Sequence, residues 1–321
     1  MSDMESIKRR KFLKNTALAG AGLMIPGWSF SNSLMAPPSY KMSVNPGAIG
    51  VSLPFAKALD LAIKYGFEAI SPQITDLKNY SPSEREGILR KMKSRNISWD
   101  STNLPVQFRN SEADFRKGMA ELAANAEVLQ KAGATRMNTW IMPTHDTRTY
   151  RENFALHARR LREAAEVIQP FGIRLGLEYV GPKTLMTRDK FAFIRTLKEL
   201  QELLEEINMP NVGIQLDAFH WFCAGETVAD IEELSPTDIV TVDLNDAKAG
   251  RTADEQVDGQ RELPGDSGVI DLQGFLRALK KIGYDGPVRA EPFNQRLNEM
   301  GDEAAMAATF KAMKRSFVNA E

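Results

Sequence analysis

From residue 40 onward the chain repeats one alternation: a short apolar segment, a turn, then apolar residues at helical spacing. The apolar segments fall at 42–51, 67–71, 97–103, 135–142, 173–180, 212–217, 239–245 and 288–291, eight in all. Helical stripes run between them. Phe55, Leu59, Ala62 and Ile63 form one, closed by Gly66; Phe115, Met119, Leu122, Ala126 and Leu129 form another, closed by Gly133. Ser81-Pro82-Ser83-Glu84 is a capping box with proline in the first turn, which opens a helix running to about residue 95. Further helices are expected over 154–172, 187–208, 228–234, 272–283 and 303–318. Strands that alternate with helices across short connections pair in parallel, and eight such units close on themselves. The expected fold is α/β, a single-domain (β/α)8 TIM barrel over residues 37–321. A doubly wound open sheet is the competing topology, but the chain has neither a Gly-x-Gly-x-x-Gly turn nor a P-loop to favour it. One connection breaks the pattern. Residues 246–271 are rich in glycine and proline and show no helical stripe, which marks a binding loop.

Residues 1–36 do not fit the barrel. Lys8-Arg9-Arg10-Lys11-Phe12-Leu13-Lys14 precedes a short apolar run broken by Gly20, Gly22 and Pro26, then small polar residues. That order is an export signal. The run is shorter than the ~20 apolar residues of a membrane span. No cysteine lies near its end to carry a lipid, so no stable membrane anchor is expected. Arg9 and Arg10, followed by Phe12-Leu13-Lys14, resemble the bacterial twin-arginine signal, with Lys8 where serine or threonine is usual. The resemblance implies passage through the twin-arginine export machinery to the periplasm, already folded.

Composition narrows the function. The 41 basic residues are matched by 42 acidic ones, leaving no surplus charge for a nucleic-acid backbone. A single cysteine, Cys223, excludes an intrachain disulfide framework, and three histidines exclude a His-rich metal centre. The carboxylates are more telling. Four successive apolar segments end in one: Leu177-Glu178, Leu216-Asp217, Val242-Asp243 and Ala290-Glu291. In such barrels the C-terminal strand ends form the active site, so all four acids are aimed at one place. Facing carboxylates repel unless something positive lies between them. A divalent cation with oxygen ligands is the economical solution.

The segments Leu177-Glu178, Asp217-x-x-His220, Asn245-Asp246-Ala247, Ala290-Glu291 and Arg261-x-Leu263-Pro264-Gly265-Asp266-x-Gly268-x-Ile270-Asp271 resemble the sugar phosphate isomerase/epimerase family. That family has a xylose-isomerase-like barrel and includes ketose 3-epimerases and inosose-dehydratase-like proteins. The resemblance covers nearly all of residues 42–318. It implies that Glu178, Asp217, position 243 and Glu291 hold the metal and that His220 binds substrate. The family usually has histidine at position 243. Asp243 makes an all-carboxylate site, which shifts the expected ion from zinc towards Mn²⁺ or Mg²⁺, or Ca²⁺, with Zn²⁺ and Co²⁺ as alternatives. In a second arrangement His220 is the ligand and Asp243 stands behind it. In a third the barrel has lost catalysis and only binds carbohydrate.

The chemistry such a site performs is proton abstraction next to a carbonyl, through an enediolate. Glu178 and Glu291 are the expected catalytic acid and base on opposite faces of the substrate, as an epimerase requires. An isomerase needs one of them, and a dehydratase adds an acid such as His220 or Asp246. Substrate contacts are expected from His220, Trp221, His145 and Arg261, with Lys248 a further candidate. Trp140, Phe219 and Phe293 are the aromatics near the barrel mouth, while His157 lies on a helix stripe and reads as structural. The expected partner is a small carbohydrate, and homo-oligomerisation is compatible with the sequence.

Overall fold

The computed structural model describes residues 40–320, so Arg9, Arg10 and the boundary at residue 36 lie outside the described residues. Eleven strands occur in order: β1 (Lys41–Val44), β2 (Ala69–Ile70), β3 (Ser98–Trp99), β4 (Thr102–Asn103), β5 (Arg136–Ile141), β6 (Thr144–His145), β7 (Arg174–Tyr179), β8 (Phe191–Ala192), β9 (Val212–Asp217), β10 (Ile239–Leu244) and β11 (Pro287–Ala290). Nine of them form one parallel sheet in the order β3-β2-β1-β11-β10-β9-β7-β5-β4. The sheet begins and ends on consecutive pieces of chain. β3 and β4 are two halves of one stave, interrupted at Asp100-Ser101; β3 pairs with β2 and β4 with β5, and this closes the ring. The barrel therefore has the eight staves expected, and it is an α/β TIM barrel.

Helices cover the outside. The first is α1 (Phe55–Tyr65), then α2 (Ile74–Asn79), α3 (Pro82–Ser94), α4 (Glu112–Ala132), α5 (Tyr150–Ile168), α6 (Leu197–Ile207), α7 (Ala218–Ala224), α8 (Val228–Glu232), α9 (Leu272–Ile282), α10 (Gln295–Asn298) and α11 (Asp302–Val318). Their buried faces follow the helical period. On α9 these are Leu272, Phe275, Leu276 and Leu279; on α6, Leu197, Leu200, Leu203 and Ile207. Each such side chain contributes roughly 1.5–3 kcal/mol by leaving water. The Ser81–Glu84 capping box forms as expected. The helix expected over 187–208 begins ten residues later, at Leu197. Its true start is a second capping box, in which the Thr196 side chain accepts from Glu199 N–H and Glu199 reaches back to the Thr196 N–H. Residues before it form β8 instead, which pairs antiparallel with β6 above the barrel.

The pleat sorts each stave into two sets. On β7, Leu175, Leu177 and Tyr179 alternate with Gly176 and Glu178; on β10, Val242 and Leu244 alternate with Thr241 and Asp243. The second set faces the barrel axis. There Ser43, Asp100, Thr241, Asp243, Gln215, Asn138 and Arg289 make a buried polar layer, where barrels of this kind commonly place bulky apolar residues. Most of its groups satisfy one another: Ser43 Oγ donates to Asp100 at 2.6 Å, and Thr241 Oγ1 to Asp100 at 3.0 Å, while Asn138 Oδ1 has no hydrogen-bond partner among the described residues.

Candidate metal centre

Above this layer the four acids converge. One carboxylate oxygen from each of Glu178, Asp217, Asp243 and Glu291 lies within 4.8 Å of the others. A second grouping joins Glu178 and Asp217 to a ring nitrogen of His220. Glu178, Asp217 and Asp243 end or nearly end adjacent parallel staves, and Glu291 immediately follows β11.

Each acid is held differently. Asp217 caps α7: its Oδ1 accepts from the N–H groups of Phe219 (2.6 Å) and His220 (3.0 Å). Asp217 Oδ2 accepts from Asn245 Nδ2 and from Arg261 Nη1, both at 2.9 Å. Asn245 also accepts the Glu291 N–H at 2.8 Å, so one amide ties the ends of β9 and β11 together. Asp243 accepts from Arg289 and from Gln215. Glu178 accepts from Gln215 Nε2 at 3.1 Å. Burial, then the charges of Glu291, Asp217 and Asp243, push the Glu178 carboxyl well above its ordinary range. The same causes, burial first and then Asp243, push Glu291 up to about 8. Glu291 keeps 17% of its side chain exposed to the cavity, which softens that shift.

The positive charges are two guanidinium groups buried to about 1% exposure, Arg261 and Arg289. Arg261 comes from the long loop, as the sequence placed it, but it is not on the surface. It bonds Asp217, Asp258 (2.8 Å) and Glu291 (3.4 Å), and its plane lies between the rings of Phe219 and Phe293, 4.7 and 4.5 Å away. Phe293 is held at φ 37°, a left-handed conformation that a bulky residue adopts only at a cost. Asp100 and Asp258 add two more carboxylates near the group. The acids outnumber the guanidinium groups, which is why Glu178 and Glu291 hold protons more tightly than usual, and their oxygen donors converge with one imidazole at hand. That donor set fits a divalent cation.

The site opens into a cavity of about 420 Å³. Glu178, Glu291, Asp258, Arg261 and His220 line it. Asn45, Asn103, Asn138, Gln215 and the rings of Trp140 and Phe293 complete the wall. Trp140 is 42% exposed, with the Arg109 guanidinium stacked 4.1 Å over it. His220 reaches the cavity as expected, and burial holds its ring below the ordinary imidazole value.

Two residues expected to touch substrate, Trp221 and His145, do not line this cavity. Trp221 packs into the core, its Nε1 donating to the Thr227 carbonyl at 3.1 Å and its ring meeting Phe275 edge-on. It lies on the face of α7 turned away from the cavity, because Asp217 fixes the first turn so that His220 takes the inward position. His145 sits on β6 and does not line the cavity. Its Nδ1 accepts from the N–H groups of Thr147 and Arg148, and Nε2 lies beside the Arg148 guanidinium. Asp246, expected beyond the strand end, is buried and accepts four backbone N–H groups, from Ala247, Ser267, Gly268 and Ile270. It shapes the long loop that follows β10. Lys248 lies 3.3 Å from Glu262 and points to a separate surface hollow. His157 is structural: burial pushes it down to about 3, and its Nδ1 meets the Asn153 carbonyl. The residues missed from sequence are Arg289, Gln215 and Asp258. The first two each lie two positions before a recognised acid, and the pleat puts such a residue on the same face.

Comparison with known proteins agrees with this geometry. An inosose isomerase of Halalkalibacterium halodurans is 28% identical over 149 residues, 46% of this chain and 49% of that protein. A ketose 3-epimerase of Arthrobacter globiformis is 33% identical over 130 residues, 40% of this chain and 38% of that one. The chain thus spans half or less of the length of these curated relatives. A xylose isomerase domain protein from Alicyclobacillus acidocaldarius superposes with a TM-score of 0.77 at 28% identity, over 88% of this chain and 99% of its own. The family model described as xylose isomerase-like TIM barrel matches residues 59–316, and the chain belongs to that family.

Proposed function

We propose that the protein is a metal-dependent isomerase or epimerase acting on an uncharged sugar or cyclitol that carries a carbonyl. The observation that carries this reading is the pair Glu178 and Glu291. They come from the two outer staves of a four-stave arc, bring oxygens within 4.8 Å of each other, and both line one cavity. Two carboxyls set against each other across a substrate carbon can take a proton from one face and return one to the other. Burial and the neighbouring acids raise the proton affinity of both carboxyls, and a bound cation would lower both. Glu178, Asp217 and Glu291 would hold a divalent ion, which when bound would polarise a carbonyl and its neighbouring hydroxyl. Oxygen donors favour Mn²⁺ or Mg²⁺, and entry of the His220 nitrogen would favour Zn²⁺ or Co²⁺.

The lining supports a neutral polyhydroxylated ligand. Asn45 and Asn103 offer amide groups for hydroxyls, Asn138 adds a carbonyl oxygen that has no hydrogen-bond partner among the described residues, and Trp140 and Phe293 offer flat apolar faces. Arg261 is already shared among three carboxylates, so it is not free to clamp a phosphate. A dehydratase would need a further acid, and with Asp246 committed to its loop that role falls to His220. The names of the relatives, inosose isomerase and ketose 3-epimerase, support the same substrate class.

The test is solvent exchange. Wild-type protein with Mn²⁺ should wash deuterium from D₂O into the carbon next to the carbonyl of a responsive ketose or inosose. Glu178→Gln and Glu291→Gln should each slow this by at least ~10²-fold, the usual scale for acid–base groups. Wild-type exchange in both variants would refute the assignment. Export through the twin-arginine route is part of the proposal, resting on Arg9 and Arg10 in their basic-then-apolar setting. Replacing both with lysine should hold the precursor in the cytoplasm; undiminished periplasmic protein would remove that reading.

A further inference from the structure

Asp243 is one of the four converging acids, yet both its oxygens are already taken. Arg289 is its neighbour in register across β10 and β11. Arg289 Nε donates to Oδ1 at 2.6 Å and Nη2 to Oδ2 at 3.2 Å, a two-pronged pair. Gln215 Nε2 donates to Oδ2 at 2.6 Å. The guanidinium is fixed from its other side as well. Its Nη1 donates to Ser101 Oγ at 2.7 Å and lies 3.8 Å from Asp100. The Gln215 amide cannot turn over, because Asn138 Nδ2 donates to its Oε1 at 2.9 Å while its Nε2 serves Asp243 and Glu178. A cation drawing on Asp243 would have to break into this pair and leave a buried arginine short of its partner, an expensive state. Glu178 and Glu291 carry far fewer donors and have lone pairs to give; Asp217 accepts four hydrogen bonds, but its arginine, Arg261, also holds Asp258 and Glu291 and is not stranded when Asp217 turns to a cation.

We propose that Asp243 is a positioning residue outside the ligand set. Asp243 and Arg289 form one buried unit that holds the Gln215 amide, and Gln215 in turn holds Glu178 in the ring of ligands. The cation then takes Glu178, Asp217 and Glu291, with His220 as the nitrogen within reach. The inference rests on the metal reading above, but the Asp243–Arg289 unit is testable without metal. A cationic side chain on β11 has made the acid on β10 a partner for the protein and not for the ion.

Three measurements decide it. In chelator-treated protein, Asp243→Asn and Arg289→Met should each lower the folding equilibrium constant by ~10²-fold or more, the scale for stranding one half of a buried pair. Together they should cost at least tenfold less than the product of the two. A simply multiplicative result would overturn the unit. Mn²⁺ affinity, followed by electron paramagnetic resonance, should drop about tenfold in Asp243→Asn, as for an outer partner of a ligand. In a Gln215→Leu background the same substitution should change affinity less than about threefold, because the link to Glu178 is already cut. An undiminished drop there would make Asp243 a direct ligand and sink the proposal. If the variants do not fold, a crystal structure of the wild type grown with Mn²⁺ settles the point: an Asp243 oxygen within about 2.5 Å of the ion refutes it, the usual ligand range. Absence of any Mn²⁺ binding would instead defeat the metal reading under the proposed function, and the stability cycle would still decide the pair.

Discussion

Glu226→Gln should make the protein more stable at alkaline pH and no more stable, or slightly less, in acid. Glu226 lies outside the metal centre, between α7 and α8. It accepts from the Leu197 N–H at 2.6 Å and from the Tyr179 hydroxyl. Burial pushes its carboxyl up to about 7, against an ordinary 4.5, and its two hydrogen bonds only partly offset this. An acid whose folded value is raised binds its proton more tightly in the native state. Its contribution is therefore complete below the unfolded value, near 4.5, and is lost as the pH rises through about 7. The shift corresponds to ~3 kcal/mol, to the nearest factor of two, acting against the folded state above pH 8. Glutamine removes the charge and keeps the shape. Weaker bonds to a neutral acceptor cost roughly 1 kcal/mol, so the net gain at pH 8 is ~1–2 kcal/mol. In a chain of this size that is a rise in melting temperature of about 2–4 °C. Urea unfolding at several values between pH 4.5 and 8.5 measures it. Glu178 and Glu291 slope the same way in both proteins, so the difference between the curves isolates Glu226. Parallel curves would mean that the burial argument is wrong.

Two other substitutions test the frame around the site. Gly181→Ala would place a Cβ 2.3 Å from the His220 carbonyl oxygen, which is backbone and cannot rotate aside. A loss of ~1–3 kcal/mol and a weakened Mn²⁺ titration are expected, and an unchanged melting curve would show that α7 is freer than its contacts imply. Asp246→Asn leaves one acceptor oxygen where two serve four N–H groups. It should cost ~2 kcal/mol and speed proteolytic cleavage within 247–270; wild-type protease resistance would return Asp246 to a passive role.

The acids were legible because each closes an apolar run, and a barrel's geometry converts that position into convergence. What could not be seen was register. Arg289 reads as a surface charge until β11 is laid beside β10 and its partner proves to be Asp243. Gln215 is polar in an apolar strand and two residues before Asp217, which the pleat alone could have flagged. The late start of α6 was also written locally, in Thr196 and Glu199, but the apolar residues ahead of them imitate a helical stripe. The split at Asp100-Ser101 has a longer-range cause. Asp100 is drawn inward to serve Ser43 and Thr241, on β1 and β10, and no local pattern announces such partners.

The cavity wall divides along the chain. Its charged groups come from residues 178–291, on or just beyond the arc β7–β9–β10–β11. Its amides come mostly from the opposite arc: Asn45 follows β1, Asn103 ends β4 and Asn138 lies on β5. A flat ligand therefore meets ions along one edge and neutral hydrogen-bonding groups along the other, so its two ends are not interchangeable in the site.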